Sequence, residues 1–425
     1  MKISNLFTKW MSVGLISILS MALFAGCSSN QPTAEPEKQS EESKVEIEFF
    51  QLKPEAVDTY NEIIKKFESE NPNIKVTQNN VPDAKNVLKL RMTSNDMPDI
   101  FIAYPNEAEF KKYVEEGYIL DISDQKALEN VNPNVLDSIK INNKSYSLPI
   151  SLNTIGIFYN KAIFDQLKLS VPKTFSELIA AAEKIKAAGI VPFALSDKDD
   201  WTAGIQANDL IGMEMGKENA DQFFADVIEG KQSTANNEVL GQVADKIIEL
   251  RKYGPADASS LGYDQAISMF STEKAAMFIN GIWANPSVIK ANPNLKYSMF
   301  PIPATEAGNT KVIYGIDAAV SISATTQHKE EAAKFLEFLS KTETAQLFAD
   351  KDKSPSVIKG VKVNFEPIQN LTQYLDENKS FEWLHFKWPA GMEGQFNKEV
   401  QTLVVTKSKD DFFKRLDEEF KKSKK

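Results

Sequence analysis

The sequence predicts an α/β fold in which strands and helices alternate to build packed layers. Short apolar runs, rich in β-branched and aromatic residues, are followed repeatedly by longer stretches whose apolar residues recur every three or four positions. No internal repeat and no long linker interrupts this rhythm after residue 45, so any lobes share chain crossings. The chain has 425 residues and one cysteine, Cys27, which excludes an intrachain disulfide and a cysteine zinc site. The fold is held by burial, for which this length suffices.

The elements follow in order. Val45, Ile47 and Phe49 alternate with Glu46 and Glu48, the period of a strand. Ala56, Val57, Tyr60, Ile63, Ile64 and Phe67 recur at helical spacing until Asn71-Pro72-Asn73 stops them. Ile74 to Thr77 begins a second strand, and Ile100 to Ala103 reads as a short buried one. Ile155, Ile157 and Tyr159 mark another strand. Thr174-Phe175-Ser176-Glu177 is a capping box, and Leu178, Ala181, Ala182 and Ile185 continue it as an apolar stripe, with Gly189 as C-terminal cap. Helices are also expected over Ala235 to Tyr253 and Lys329 to Lys341, and the last 60 residues read as helices only.

Composition excludes some functions. Lys and Arg number 49 against 59 Asp and Glu, a formal charge of −10, which argues against nucleic acid as the main partner. His328 and His385 are too few for a histidine-rich metal centre. Gly212 to Lys217 is too short for a phosphate loop, and Glu218 stands where the metal-binding hydroxyl belongs. Asp197-Lys198-Asp199-Asp200 lacks the glycine of an EF-hand, and Asn208 occupies its twelfth position. Neither G-x-S-x-G nor H-E-x-x-H occurs. Acid pairs for glycoside hydrolysis are defined by separation in space and stay open.

Residues 1–26 read as a secretory signal. Lys2 and Lys9 precede an uncharged apolar run from Trp10 to Ala25, shorter than the ~20 residues of a spanning helix. Leu23-Phe24-Ala25-Gly26-Cys27 is similar to a bacterial lipobox, with Phe24 in place of the usual aliphatic residue. Cleavage there would leave a lipidated Cys27; an uncleaved anchor or a plain secretory signal are the alternatives. Residues 27–44 complete the lipidated tether. Ser28 to Lys44 has no large apolar residue and spans ~20–25 Å as a coil.

Several segments occur in a telling order. They are Phe67-Glu68-Ser69-Glu70-Asn71-Pro72, Met97-Pro98-Asp99-Ile100, Phe158-Tyr159-Asn160-Lys161 and Val171 to Leu178. Met277 to Trp283, Gly315-Ile316-Asp317-Ala318-Ala319 and Ala333 to Leu339 follow. With the lipobox and tether, this order resembles the extracellular solute-binding proteins of carbohydrate ABC importers, in particular multiple-sugar or raffinose-type binders. The resemblance covers residues 45 to about 350 well and the last 75 more loosely. It implies a two-lobe periplasmic-binding-protein-like α/β fold with a hinge and a ligand cleft between the lobes. Residues 45–152 and 310–355 would form lobe 1, and 153–309 and 356–425 lobe 2. Crossings are expected near Leu152-Asn153-Thr154, Asn309 to Val312 and Pro355. It also implies an oligosaccharide ligand, membrane permease subunits as partners, a monomer anchored outside the cell membrane by lipid, no catalysis and no cofactor.

A pyranose needs an aromatic platform for its C–H face and directed polar groups for its hydroxyls. Trp283, in a loop between Gly281 and Pro286, is the platform by resemblance; its alternative place is the core. Asp317, a lone carboxylate in an apolar stretch, is a hydroxyl acceptor or a turn residue. Lys53 and Glu55 follow the first strand, and Tyr104 and Asn106 follow Ile100 to Ala103, where loops open at the carboxyl ends of strands. Asn153 sits at the presumed hinge, and Trp201 beside Asp199 and Asp200 offers a second platform or a cap over the core. Glu382 to Trp388 is the densest aromatic cluster; Glu382, His385 and Trp388 are its candidates, Trp388 foremost. An extracellular carbohydrate hydrolase or lyase, and a binder of another solute, are the competing functions.

Replacement of Cys27 by Ala should release the protein to the medium or block its processing. Intact mass of the membrane fraction should show loss of residues 1–26 and added acyl mass. Unchanged mass and membrane retention would contradict the lipobox.

Overall fold

The computed structural model describes residues 44–424, so the signal, Cys27 and nearly all of the tether lie outside the described residues. β1 (Val45–Phe50) turns Ile47 and Phe49 inward, as its alternation predicts, and pairs in parallel with β2 (Ile74–Asn79). β3 (Ile100–Ala103) lies on the other side of β1 with all four residues buried. β4 (Leu148–Asn160), β5 (Val191–Ala194), β6 (Ala275–Gly281), β7 (Tyr297–Phe300), β8 (Val312–Ile322) and β9 (Ser380–Glu382) complete the strands among the described residues.

Two long strands join the halves. β4 pairs antiparallel with β8 from Leu148 to Thr154, then with β6 and β7 from Ile155 to Asn160. The β4–β8 register shifts between Pro149 and Leu152, a bulge that bends the strand where it changes partners. β8 pairs with β9 through Val312–Tyr314 and with β3 through Ala319–Ile322. Beside them, the Leu152 amide donates to the Pro355 carbonyl at 2.8 Å and the Val357 amide to Ile150 at 3.1 Å. The two lobes of this α/β fold therefore share continuous sheet at their junction.

Each lobe has its own core. In the first, Phe49 packs edge-on against Tyr60 at 4.9 Å and Phe67 against Phe335 at 5.1 Å, so helices Val57–Glu70 and Lys329–Ser340 bury their stripes on the parallel strands. In the second, helix Asp200–Met215 is buried on nearly every side, and helices Met392–Thr406 and Lys409–Ser423 pack around it. Gly204 permits the approach: a Cβ there would stand 1.8 Å from the Asn397 carboxamide. The loosely resembling C-terminus thus supplies core to the second lobe.

Local signals explain most boundaries. The Thr174 hydroxyl accepts from the Glu177 amide at 3.2 Å, while the Glu177 carboxylate accepts from Lys173 rather than from the cap residue itself. Gly189 follows that helix at φ +80°, as a C-terminal cap requires. The helix expected over Ala235 to Tyr253 runs from Glu238 to Arg251, capped by the Asn237 side chain. The all-helical reading of the last 60 residues is corrected by β9, whose three residues are too few to show an alternation. Among the described residues no helix is long and apolar enough to cross a membrane.

Candidate functional site

The crossing strands and the loops beside them bring polar groups together. Lys53 lies three residues beyond β1, its amide donating to the Gln51 side chain at 2.6 Å. Asp317 is in the middle of β8, Asn153 in β4, and Asp352 ends helix Thr342–Asp352. The Lys53 ammonium bonds the Asp317 carboxylate and lies 3.6 Å from Asp352 and 3.7 Å from Glu55. All four side chains are nearly enclosed. Burial alone would lower the Lys53 pKa, but the charges of Asp317, Asp352 and Glu55 outweigh it and hold the ammonium well above its ordinary value. One cation cannot compensate three acids. Burial accordingly pushes the Glu55 carboxyl up to about 7, against the pull of Lys53, and raises Asp352 as well.

A second link fixes the floor. The Trp383 indole N–H donates to the Asn153 carbonyl oxygen at 3.0 Å. An indole only donates, so the Asn153 amide nitrogen must turn the other way. It faces Asp317 at 3.5 Å. Lys53, Asp317, Asn153 and Trp383 thus form one chain from the loop after β1 across β8 and β4 to the segment after β9.

An aromatic wall stands nearby. Trp201 opens the helix Asp200–Met215, Tyr263 opens Tyr263–Ser271, and Trp283 lies in the turn Ile282–Ala284 after β6. The Trp201 and Trp283 rings are 6.3 Å apart, and Trp201 meets Tyr263 edge-on at 5.2 Å. Both indoles are partly exposed. Trp283 folds back over Gly281, where a Cβ would stand 2.0 Å from its ring, so the glycine is required. The Asp199 carboxylate accepts from the Tyr263 amide at 2.6 Å, so the acidic run that resembles a calcium loop organises the wall instead. The Tyr263 hydroxyl is buried with no hydrogen-bond partner among the described residues. Burial raises its pKa, and the charges of Glu55 and Lys53 act on it more weakly.

A third group contains Tyr104 and His385. Lys85 stands over the Tyr104 ring at 5.6 Å and bridges Glu107 at 2.9 Å and Glu393 at 2.7 Å. The His385 ring lies tilted against Trp383 at 5.4 Å and meets the Asn208 side chain at 3.4 Å. Burial lowers its pKa to about 4 and keeps the ring neutral, while burial raises Glu107 to about 8. Glu107, His385 and Glu393 each place one ligand atom within 4.8 Å of the others. The Lys85 ammonium already lies against both carboxylates, so we read an ion-pair cluster. The Asn106 side-chain oxygen is buried with no hydrogen-bond partner among the described residues.

The structure thus gathers Lys53, Glu55, Asn153 and Asp317 into a floor, and Trp201 and Trp283 into a wall. It places Tyr104 and His385 in the cluster around Lys85 and buries the Asn106 oxygen after β3. Glu382 lies on β9 opposite Tyr314. Trp388 stands apart: it is 3% exposed and packed against Phe224, Phe396 and Phe420 in the second core, so Trp383 takes its place beside the floor. Sequence reasoning missed Asp352, Tyr263, Trp383, Lys85, Glu107 and Glu393. Only Trp383 carried a signal, its membership of the aromatic cluster.

Two α/β lobes sharing their crossing strands, with half-exposed indoles and a polar floor at the junction, define a two-lobe ligand-binding protein. The chain belongs to the bacterial extracellular solute-binding protein family, whose model matches residues 53–346. It is 33% identical over 407 residues to the multiple sugar-binding protein of Streptococcus mutans, covering 94% of this chain and 95% of that one. It is 25% identical over 372 residues to the melibiose/raffinose/stachyose-binding protein MelE of Bacillus subtilis, covering 84% and 83%. The solved structure of RafE in complex with raffinose matches with a TM-score of 0.83 at 31% identity, over 90% of this chain and 100% of that one. The apo form of RafE from Streptococcus pneumoniae matches at 0.72, with the same identity, over 90% and 99%.

Replacing Lys53 by Met should destabilise the apo protein by about 3–5 kcal/mol, because three enclosed acids lose their cation. The loss should depend on pH. Glu55, raised from 4.5 to about 7, favours the fold when protonated, and that stability is lost as pH rises through about 7. The melting temperature of Lys53→Met should therefore fall further at pH 8 than at pH 5; equal losses at both would refute the cluster's electrostatics.

Proposed function

We propose that the protein is a lipid-anchored receptor that captures an oligosaccharide outside the cell and delivers it to an ABC permease. The observation that carries this reading is the pair of partly exposed indoles, Trp201 and Trp283, beside an enclosed polar floor where the lobes join. Such a surface meets both faces of a sugar: rings for its C–H groups, fixed donors and acceptors for its hydroxyls. Trp283 is the main platform and Trp201 its neighbour. Glu55, the Tyr263 hydroxyl, the Asn106 oxygen and His385 are the polar contacts. Lys53, Asn153 and Asp317 hold the floor in register beneath them. Residues 45–152 and 310–355 form one lobe, 153–309 and 356–425 the other. The names of the sugar-binding relatives support the ligand class.

Closure around the ligand is the working motion. The chain matches raffinose-bound RafE better than apo RafE, at 0.83 against 0.72, which supports a closed arrangement here. Two ion pairs join segments of opposite lobes: Lys85 with Glu393 and Lys290 with Asp58, each at 2.7 Å. They are partly or fully exposed and individually weak, so the ligand supplies most of the closing energy.

One observation bears on the hydrolase alternative. Glu55 has the raised pKa of a general acid. Its cause is burial, with a smaller push from Asp317 and Asp352, and its side chain is only 6% exposed beside Lys53. We therefore infer binding without turnover. Raffinose incubated with the protein should be recovered intact by chromatography, and cleavage abolished by Glu55→Gln would favour the hydrolase.

Trp283→Ala should weaken raffinose binding by about 2 kcal/mol or more, roughly 30-fold, in calorimetric titration. Trp283→Phe should recover part of this. The apo melting temperature should change little in either. Near-normal affinity with a large loss of apo stability would return Trp283 to the core.

A further inference from the structure

A pocket of about 350 Å³ opens between the lobes, lined by the turn and first helical residues after β1, by helix Asn285–Ala291 and by the end of helix Thr342–Asp352. Its size is at the lower end of the ~300–1,000 Å³ range of small-molecule sites. Pro54, Pro286, Ile289 and the Thr59 methyl give it apolar surface. Its charges balance: Glu55, Asp58 and Asp350 face Lys290, Lys351 and Lys353. Such a lining favours neither an anion nor a cation. It suits a neutral polyhydroxyl group, with an apolar face for C–H bonds and donors and acceptors around it.

The pocket shares Glu55 with the candidate site and lies one turn along the chain from Trp283. Glu55 is shared: it lines the pocket and stands 3.7 Å from Lys53, whose ammonium bonds Asp317 in the floor. Trp283 is three residues before Pro286, and the turn that carries it leads directly into the helix lining the pocket. At the rim, Asp58 and Lys290 pair at 2.7 Å with side chains 74% and 78% exposed. A pair so exposed opens at little cost, and each partner can then bond a hydroxyl.

We propose that this pocket is a subsite for a terminal hexosyl unit beyond those held on the Trp283 face, and that it sets the longest oligosaccharide the receptor holds. The inference rests on the carbohydrate reading and adds the direction in which the ligand grows.

The test uses melibiose, raffinose and stachyose, a series of two, three and four sugar units. Ser287 lines the pocket on helix Asn285–Ala291, and Ser287→Phe fills it. Calorimetry should show stachyose affinity falling at least tenfold more than melibiose affinity. In the wild-type protein, hydrogen exchange should show stachyose protecting residues 54–59 and 286–290 beyond what melibiose protects, a readout that needs no variant to fold. Equal loss for all three sugars, or no extra protection by stachyose, would overturn the subsite while leaving the carbohydrate reading intact. Failure of the wild-type protein to bind any of the three would overturn both.

Discussion

The arrangement depends on one buried ammonium. Lys53 is enclosed with Asp317, Glu55 and Asp352, contributed by three separate segments of chain. Enclosed charge is costly unless paired, so these segments cannot drift apart without exposing an uncompensated group. Asp317 extends the constraint into β8, Asn153 into β4, and the Trp383 indole into the segment after β9. β4 passes from one half of the sheet to the other, and β8 pairs with it at the junction. The polar chain therefore lies where the two halves of the sheet meet.

This divides the labour among the site residues. Groups that look like ligand contacts in the sequence, Lys53, Asn153 and Asp317, spend their hydrogen bonds on one another. The indoles of Trp201 and Trp283 stay partly exposed, while the Tyr263 hydroxyl and the Asn106 oxygen are buried without a partner among the described residues. A rigid floor with a partly exposed aromatic wall loses little entropy when a sugar arrives, because its polar groups are already oriented. The ion pairs Lys85–Glu393 and Lys290–Asp58 are reached by water, so each contributes little energy.

The fold was legible where periodicity is strong. The alternation of Val45, Ile47 and Phe49 and the stripe after Thr174 each describe an element with one buried face. β9 was not legible, because three residues hold no period. The lobes' shared crossings followed from the missing linker, but the bulge that lets β4 change partners leaves no sequence mark. For the site, single residues could be chosen and their pairings could not. Lys53 and Asp317 stood out separately, and their contact spans 264 residues. Asp352 reads as an ordinary surface acid at a helix end. Trp383 and Trp388 belong to one cluster, and only the turn between them decides that one faces the floor and the other the Phe224 core. Lys85 and Glu393 lie 308 residues apart, and nothing local marks either.

The most direct test is a crystal structure of the protein with raffinose. A sugar ring is expected to lie against the Trp283 face, with hydroxyls bonded to Glu55 and Tyr263 and with Lys53, Asp317, Asn153 and Trp383 joined beneath it as described. Raffinose seated away from the lobe junction, or a Trp283 ring enclosed by protein with the sugar elsewhere, would contradict the account.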